Sequence, residues 1–123
     1  MADVHESLIR SFRKKVIRGG LVETKSPMPT YRPDIFAQRL AHNGRIVEQL
    51  AVEAEIGSTI LNEHTSEQLM KMHEFIIGQR AKRIRVRGFL IIPRGREPHS
   101  HAMLVLENLF PEGTSIRAEQ PGQ

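Results

Sequence analysis

Cysteine is absent from the 123 residues, and so is tryptophan. Without cysteine there is no disulfide framework, no thiolate zinc site and no cysteine nucleophile, and nothing marks the chain as secreted. Aromatic residues make up only 5%, and only Phe12, Tyr31 and Phe89 stand beside basic residues, which argues against a surface built on successive base stacking. No apolar stretch approaches the roughly 20 residues that cross a bilayer, so no membrane partner is expected. The start, Met1-Ala2-Asp3-Val4-His5, carries no apolar signal core, which predicts a cytoplasmic protein. Walker loops and dinucleotide fingerprints are missing, because Gly78, Gly88 and Gly95 are too irregularly spaced to cradle a pyrophosphate. None of the serines sits in a Gly-x-Ser-x-Gly elbow, so nucleophilic hydrolysis has no support.

What is present is an uneven distribution of charge. Residues 1–32 carry seven Lys/Arg against three Asp/Glu, residues 33–79 three against seven, and residues 80–123 eight against four. Two basic clusters stand out: Arg10, Arg13, Lys14, Lys15 and Arg18, then Arg80, Lys82, Arg83, Arg85 and Arg87, followed by Arg94 and Arg96. Such asymmetry in a chain of one domain's length points to a polyanion, or to an acidic protein surface.

Between Asp3 and Arg18, Val4, Leu8, Ile9, Phe12 and Val16 form one helical stripe, with Arg10, Lys14, Lys15 and Arg18 mostly opposite. Gly19-Gly20 ends this helix. Pro27, Pro29 and Pro33 make residues 21–33 an extended linker. Phe36, Leu40, Asn43, Val47, Leu50 and Ala54 recur at steps of three and four, which predicts a second helix with a seam suited to packing or to joining copies in a homo-oligomer. Gly57-Ser58-Thr59 should break it, and Thr65 with Gln68 reads as a capping box for a third helix whose stripe is Leu69, Met72, His73 and Ile76. Beyond Lys82 the period changes to two: Ile84 and Val86 alternate with Arg83, Arg85 and Arg87 before the run Phe89–Ile92. Pro93 to Pro98 reads as a turn and Met103–Leu106 as a returning strand. The predicted fold is therefore α+β, with about three helices (residues 3–80) packed on a C-terminal antiparallel β-hairpin (residues 82–109). One domain spans residues 1–110, and a loose tail takes in residues 111–123.

His99-Ser100-His101, with Gly95 before it and Glu107 after it, resembles in its letters the first metal-binding motif of cupins. The spacings depart from that motif, since six residues of strand place Glu107 about 20 Å from His101. No metal and no cofactor is expected. Residues 48–72 faintly resemble a helix-turn-helix of the lambda-repressor type, but Glu55 stands where the tight turn wants glycine and Glu63 would bring acid into the groove. Glu48, Glu53 and Glu55 read as the solvated face of a helix.

On a strand, Arg83, Arg85 and Arg87 would sit about 6.6 Å apart on one side, near the spacing of successive phosphates. The sequence thus predicts a small, non-catalytic, basic nucleic-acid-binding protein. Its contacts to the DNA or RNA backbone would be Arg10, Arg13, Lys14, Arg18, Arg83, Arg85, Arg87, Arg94 and Arg96. The alternative is a non-enzymatic assembly subunit or inhibitor that binds an acidic protein surface.

Overall fold

The Asp3 side chain accepts a hydrogen bond from the His5 amide and caps helix α1 (Val4–Arg18) in a computed structural model that describes residues 3–121. Leu8, Ile9, Phe12 and Val16 are the buried stripe of α1, and the chain leaves it through Gly19 and Gly20, the latter at φ +81°. Next come β1 (Val22–Glu23), β2 (Ile35–Leu40), β3 (Ile46–Ala54), α2 (Glu63–Ala81), β4 (Arg85–Ile91), α3 (Arg96–Leu109) and β5 (Ile116–Glu119).

The five strands form one sheet in sequence order. β1, β2 and β3 run antiparallel, whereas β3 with β4 and β4 with β5 are parallel pairs. Parallel neighbours need a crossover, and α2 and α3 supply the two that are required. The alternation of strand side chains then sorts the core into two layers. On one face α1 covers Ile35, Ala37, Leu50, Val52, Ala54, Phe89 and Ile91; on the other, α2 and α3 cover Phe36, Ala51, Val86, Leu90 and Ile116. The α2 layer is tight over Gly88, where an added Cβ would lie 2.6 Å from Ile76 Cδ1 and 2.9 Å from Met72 Sδ. Both neighbours are fully buried. Gly88→Ala is therefore expected to cost about 1–3 kcal/mol in urea unfolding, since the Ile76 and Met72 tips must leave their packed positions. An unchanged midpoint would mean that this layer has slack.

The structure departs from the predicted arrangement at several points. Residues 33–54 are not a helix but the β2–β3 hairpin, and the Asn43-Gly44 turn is the reason. Gly44 takes φ +81°, the Asn43 side chain accepts from the Arg45 amide at 3.0 Å, and the Ala41 amide donates to the Arg45 carbonyl at 2.8 Å. The C-terminal hairpin does not exist. Arg85–Ile91 is a strand, but Met103–Leu106 belongs to α3, and Pro98 lies in its first turn, where a missing N–H costs nothing. Residues 116–119, within the segment read as a loose tail, form β5, with Ile116 buried. The remainder of that tail at 122–123, like Met1 and Ala2, lies outside the described residues. The third helix opens at Asn62–Glu63 rather than at a Thr65 capping box, and the Thr65 hydroxyl instead donates to the Thr59 carbonyl at 2.7 Å.

Candidate functional site: a cationic helix face and a carboxylate pair

Helix α1 runs between two charged features of the sheet. At its first turn His5 Nε2 lies 3.5 Å from Asp34 Oδ2; just past its last turn the Gly19 carbonyl accepts from Arg39. Its 15 residues span about 22 Å. Arg10, Lys14 and Arg18 are exposed along it, while Arg13 is held by Glu23 through two hydrogen bonds of 2.8 and 3.1 Å.

At the far end, Glu48 on β3 faces three guanidiniums: Arg87 at 3.1 Å, Arg39 at 3.4 Å and Arg85 at 3.7 Å. Register explains the gathering. Glu48 sits opposite Arg39 on β2 and Arg85 on β4, and Arg87 is two residues on along the same side of β4. The Arg87 guanidinium also stands 5.9 Å from the centre of the Phe89 ring, which packs on Phe12 of α1. One carboxylate among three cations leaves a surplus of positive charge on the sheet face that α1 covers. The exposed Arg10, Lys14 and Arg18 carry the same sign along that helix, a pattern suited to a phosphate chain.

Of the residues predicted to bind nucleic acid, Arg85 and Arg87 thus lie on the face covered by α1, which carries Arg10, Arg13, Lys14 and Arg18. Arg83 does not continue the β4 row, because it precedes the strand in a turn at φ +63°. Arg94 and Arg96 are exposed where α3 begins, beyond the opposite end of β4. His99 and His101 stand on a helix, where residues two apart point to different sides, so they form no pair.

Asp34, Glu53 and Glu55 gather at the carboxyl end of β3. Asp34 precedes β2 and accepts from the Ala54 amide at 2.8 Å, which ties it beside Glu53. Glu53 is only 5% exposed, and its Oε2 has no hydrogen-bond partner. Burial, then the charges of Asp34 and Glu55, and last a hydrogen bond with the Asp34 side chain push Glu53 up to about 9. Glu55 is turned to Thr59, whose hydroxyl donates to its Oε2 at 2.6 Å. Tyr31 is fully buried with its hydroxyl unpartnered, and burial followed by the charges of Glu53 and Asp34 raises it far above the ordinary tyrosine value. Among the described residues, neither Glu53 nor Glu55 makes an ion pair.

Three carboxyl groups and a phenol, with His5 beside Asp34 as the one basic side chain paired to them among the described residues, can be reconciled by a retained proton or by a hard metal ion. The donors are all oxygen, the set preferred by Mg²⁺, Mn²⁺ and Ca²⁺. Among the described residues, no three His, Asp or Glu side chains already stand as a metal cage. Mg²⁺ does not need one, since one or two carboxylates with waters and substrate phosphates hold it in many phosphoryl-transfer sites. Asp34 and Glu53 are the two carboxyl groups that would serve here. Sequence reading missed them because it placed Glu53 and Glu55 on a helix; the signal available was the period-two spacing of Val52-Glu53-Ala54-Glu55 after an Asn-Gly turn. No protein-family model, curated protein or solved structure matches the chain.

Proposed function

We propose that this protein binds nucleic acid along the face of α1 and cleaves its phosphodiester backbone with a divalent cation held by Asp34 and Glu53. The observation that carries the reading is the cationic face of α1 together with half-buried Asp34, which meets His5 at the first turn of that helix and stands beside Glu53, buried on the α2 side of the sheet. A binding surface alone would not require Glu53 to be buried with one carboxyl oxygen unpartnered, which costs stability. When bound, a divalent ion supplies Lewis acidity toward a phosphoryl oxygen and lowers the pKa of water. Asp34, fixed by the Ala54 amide, provides the pre-oriented ligand. To hold the ion, Glu53 would have to release its proton to solvent, and Arg10, Lys14, Arg18, Arg85 and Arg87 would align the polyanion by charge. Glu53 is buried on β3 rather than on the solvated helix face that the sequence suggests.

The test pairs binding with cleavage. Fluorescence anisotropy with labelled DNA and RNA at about 50 and 200 mM salt should show binding that weakens at least tenfold. A variant with Arg10, Lys14, Arg85 and Arg87 all changed to Ala should bind more weakly, with a salt slope shallower by roughly one for each phosphate no longer neutralised. Mg²⁺ or Mn²⁺ should release fragments from the same substrates, and EDTA should stop their release. Binding without cleavage would leave only the backbone-binding half of the proposal. Absence of both would turn attention to an acidic protein partner.

A further inference from the structure

The proline-bracketed segment between β1 and β2 forms one wall of an open cavity of about 440 Å³, and Asp34 lies on its lining. Two cations, Lys25 and Arg32, line the same cavity together with Met28, Pro29 and Glu23, the last of which Arg13 already pairs. Both cations are exposed, and neither side chain makes an ion pair or hydrogen bond with any described residue. They contrast with Arg13, Arg39, Arg85 and Arg87, each of which has a carboxylate partner. Exposed in one recess, the two cations are solvated and free to meet a ligand. They suit a ligand that brings its own negative charge. The volume is enough for one nucleotide, and a base seated inside the recess could not at the same time be paired. Pro27, Pro29 and Pro33 restrict the backbone of that segment, so the recess is largely formed before anything binds.

The geometry points to a one-nucleotide subsite in which Lys25 and Arg32 hold a phosphate adjacent to the scissile one and Met28 and Pro29 receive the unpaired sugar and base. The preferred substrate is then a single strand, or the unpaired end of a duplex. This inference rests on the proposed nuclease reading for its placement beside the scissile phosphate, but the binding it claims is independent of any metal.

The experiment compares wild type with the Lys25→Ala/Arg32→Ala double variant and uses two probes in EDTA: a labelled single-stranded oligothymidylate of five nucleotides and a blunt DNA duplex. The double variant should bind the single strand weaker by on the order of tenfold for each cation removed, with the duplex affinity changed much less. With Mn²⁺ present, KM for the single strand should rise while kcat stays within a few fold, and Mn²⁺ affinity by calorimetry should be unaltered. Equal losses for both probes, or no loss for the single strand, would overturn the subsite. If wild type neither binds Mn²⁺ nor cleaves, the nuclease reading fails, and a selective loss of oligothymidylate binding would still establish the subsite.

Discussion

Replacing Glu53 by Gln should stabilise the fold at pH 8 while removing divalent-ion-dependent cleavage. In the native protein Glu53 is pushed up from 4.5 to about 9, so between those values the folded chain holds a proton that the unfolded chain has shed. The stability contributed by the neutral acid is complete below the unfolded value and is lost as pH rises through about 9. Its slope in that window approaches about 1.4 kcal/mol per pH unit, and the cost accumulated by pH 8 is a few kcal/mol. Glutamine keeps the shape and cannot ionise. Urea unfolding at pH 5, 7 and 9 should therefore give a falling stability for wild type and a flatter profile for Glu53→Gln. Parallel profiles would mean that Glu53 is ordinary and solvated. The same proton competes with the cation, so Mn²⁺ should raise the melting temperature of wild type more at pH 8 than at pH 6, and that of the variant at neither. Cleavage by the variant should fall by at least about a hundredfold, as removal of a ligand from a two-carboxylate site demands.

Removing the carboxylate beneath the three arginines should act in opposite directions on stability and on binding. Glu48 is buried, and Arg39, Arg85 and Arg87 converge on it. Glu48→Ala leaves three guanidiniums facing one another, an expected loss of about 3 kcal/mol after discounting for the exposure of the arginines. For the same reason it frees all three to meet phosphate. Affinity for DNA or RNA at low salt should then rise by about tenfold, with a steeper salt dependence. Denaturant unfolding and anisotropy on the same preparation measure both. A variant that is less stable and also binds more weakly would show that Glu48 orients the arginines for phosphate rather than competing with it.

Helix α1 was legible because its apolar stripe, its acidic cap and its Gly19-Gly20 stop agree with one another. The β2–β3 hairpin was misread because Phe36, Leu40, Val47, Leu50 and Ala54 fall at helical intervals by coincidence of two strands and a turn. The Asn43-Gly44 dipeptide carried more information than that spacing, since it prescribes a local backbone conformation and an apolar count does not. For α3 the error was of the reverse kind: a short apolar run beside a proline mimics a strand, and only burial by β5 and α2 shows it to be a helix. Misplacing Val47–Ala54 also hid the candidate site. On a strand, Glu53 and Glu55 share one side, and whether that side is buried depends on α2, which no local pattern foretells. The cationic helix face was visible in outline. Its junction with Arg85 and Arg87 was not, because it depends on a parallel pairing across a long crossover.

That difference in separation also sets an order of assembly. Asp34 and Ala54 are tied together through a hairpin closed at Asn43-Gly44, across a separation of 20 residues. Glu48 meets Arg85 only after 37 residues, including the whole of α2, have been brought back to the sheet. Closing the shorter loop costs less entropy, and local pairings speed folding whereas distant ones slow it. The carboxylate site is thus drawn together by the early meander, ahead of the β3–β4 pairing that completes the arginine cluster. A chain caught between these steps has its acidic residues gathered before Arg85 and Arg87 join Arg39 at Glu48, so the proposed affinity for nucleic acid would develop last.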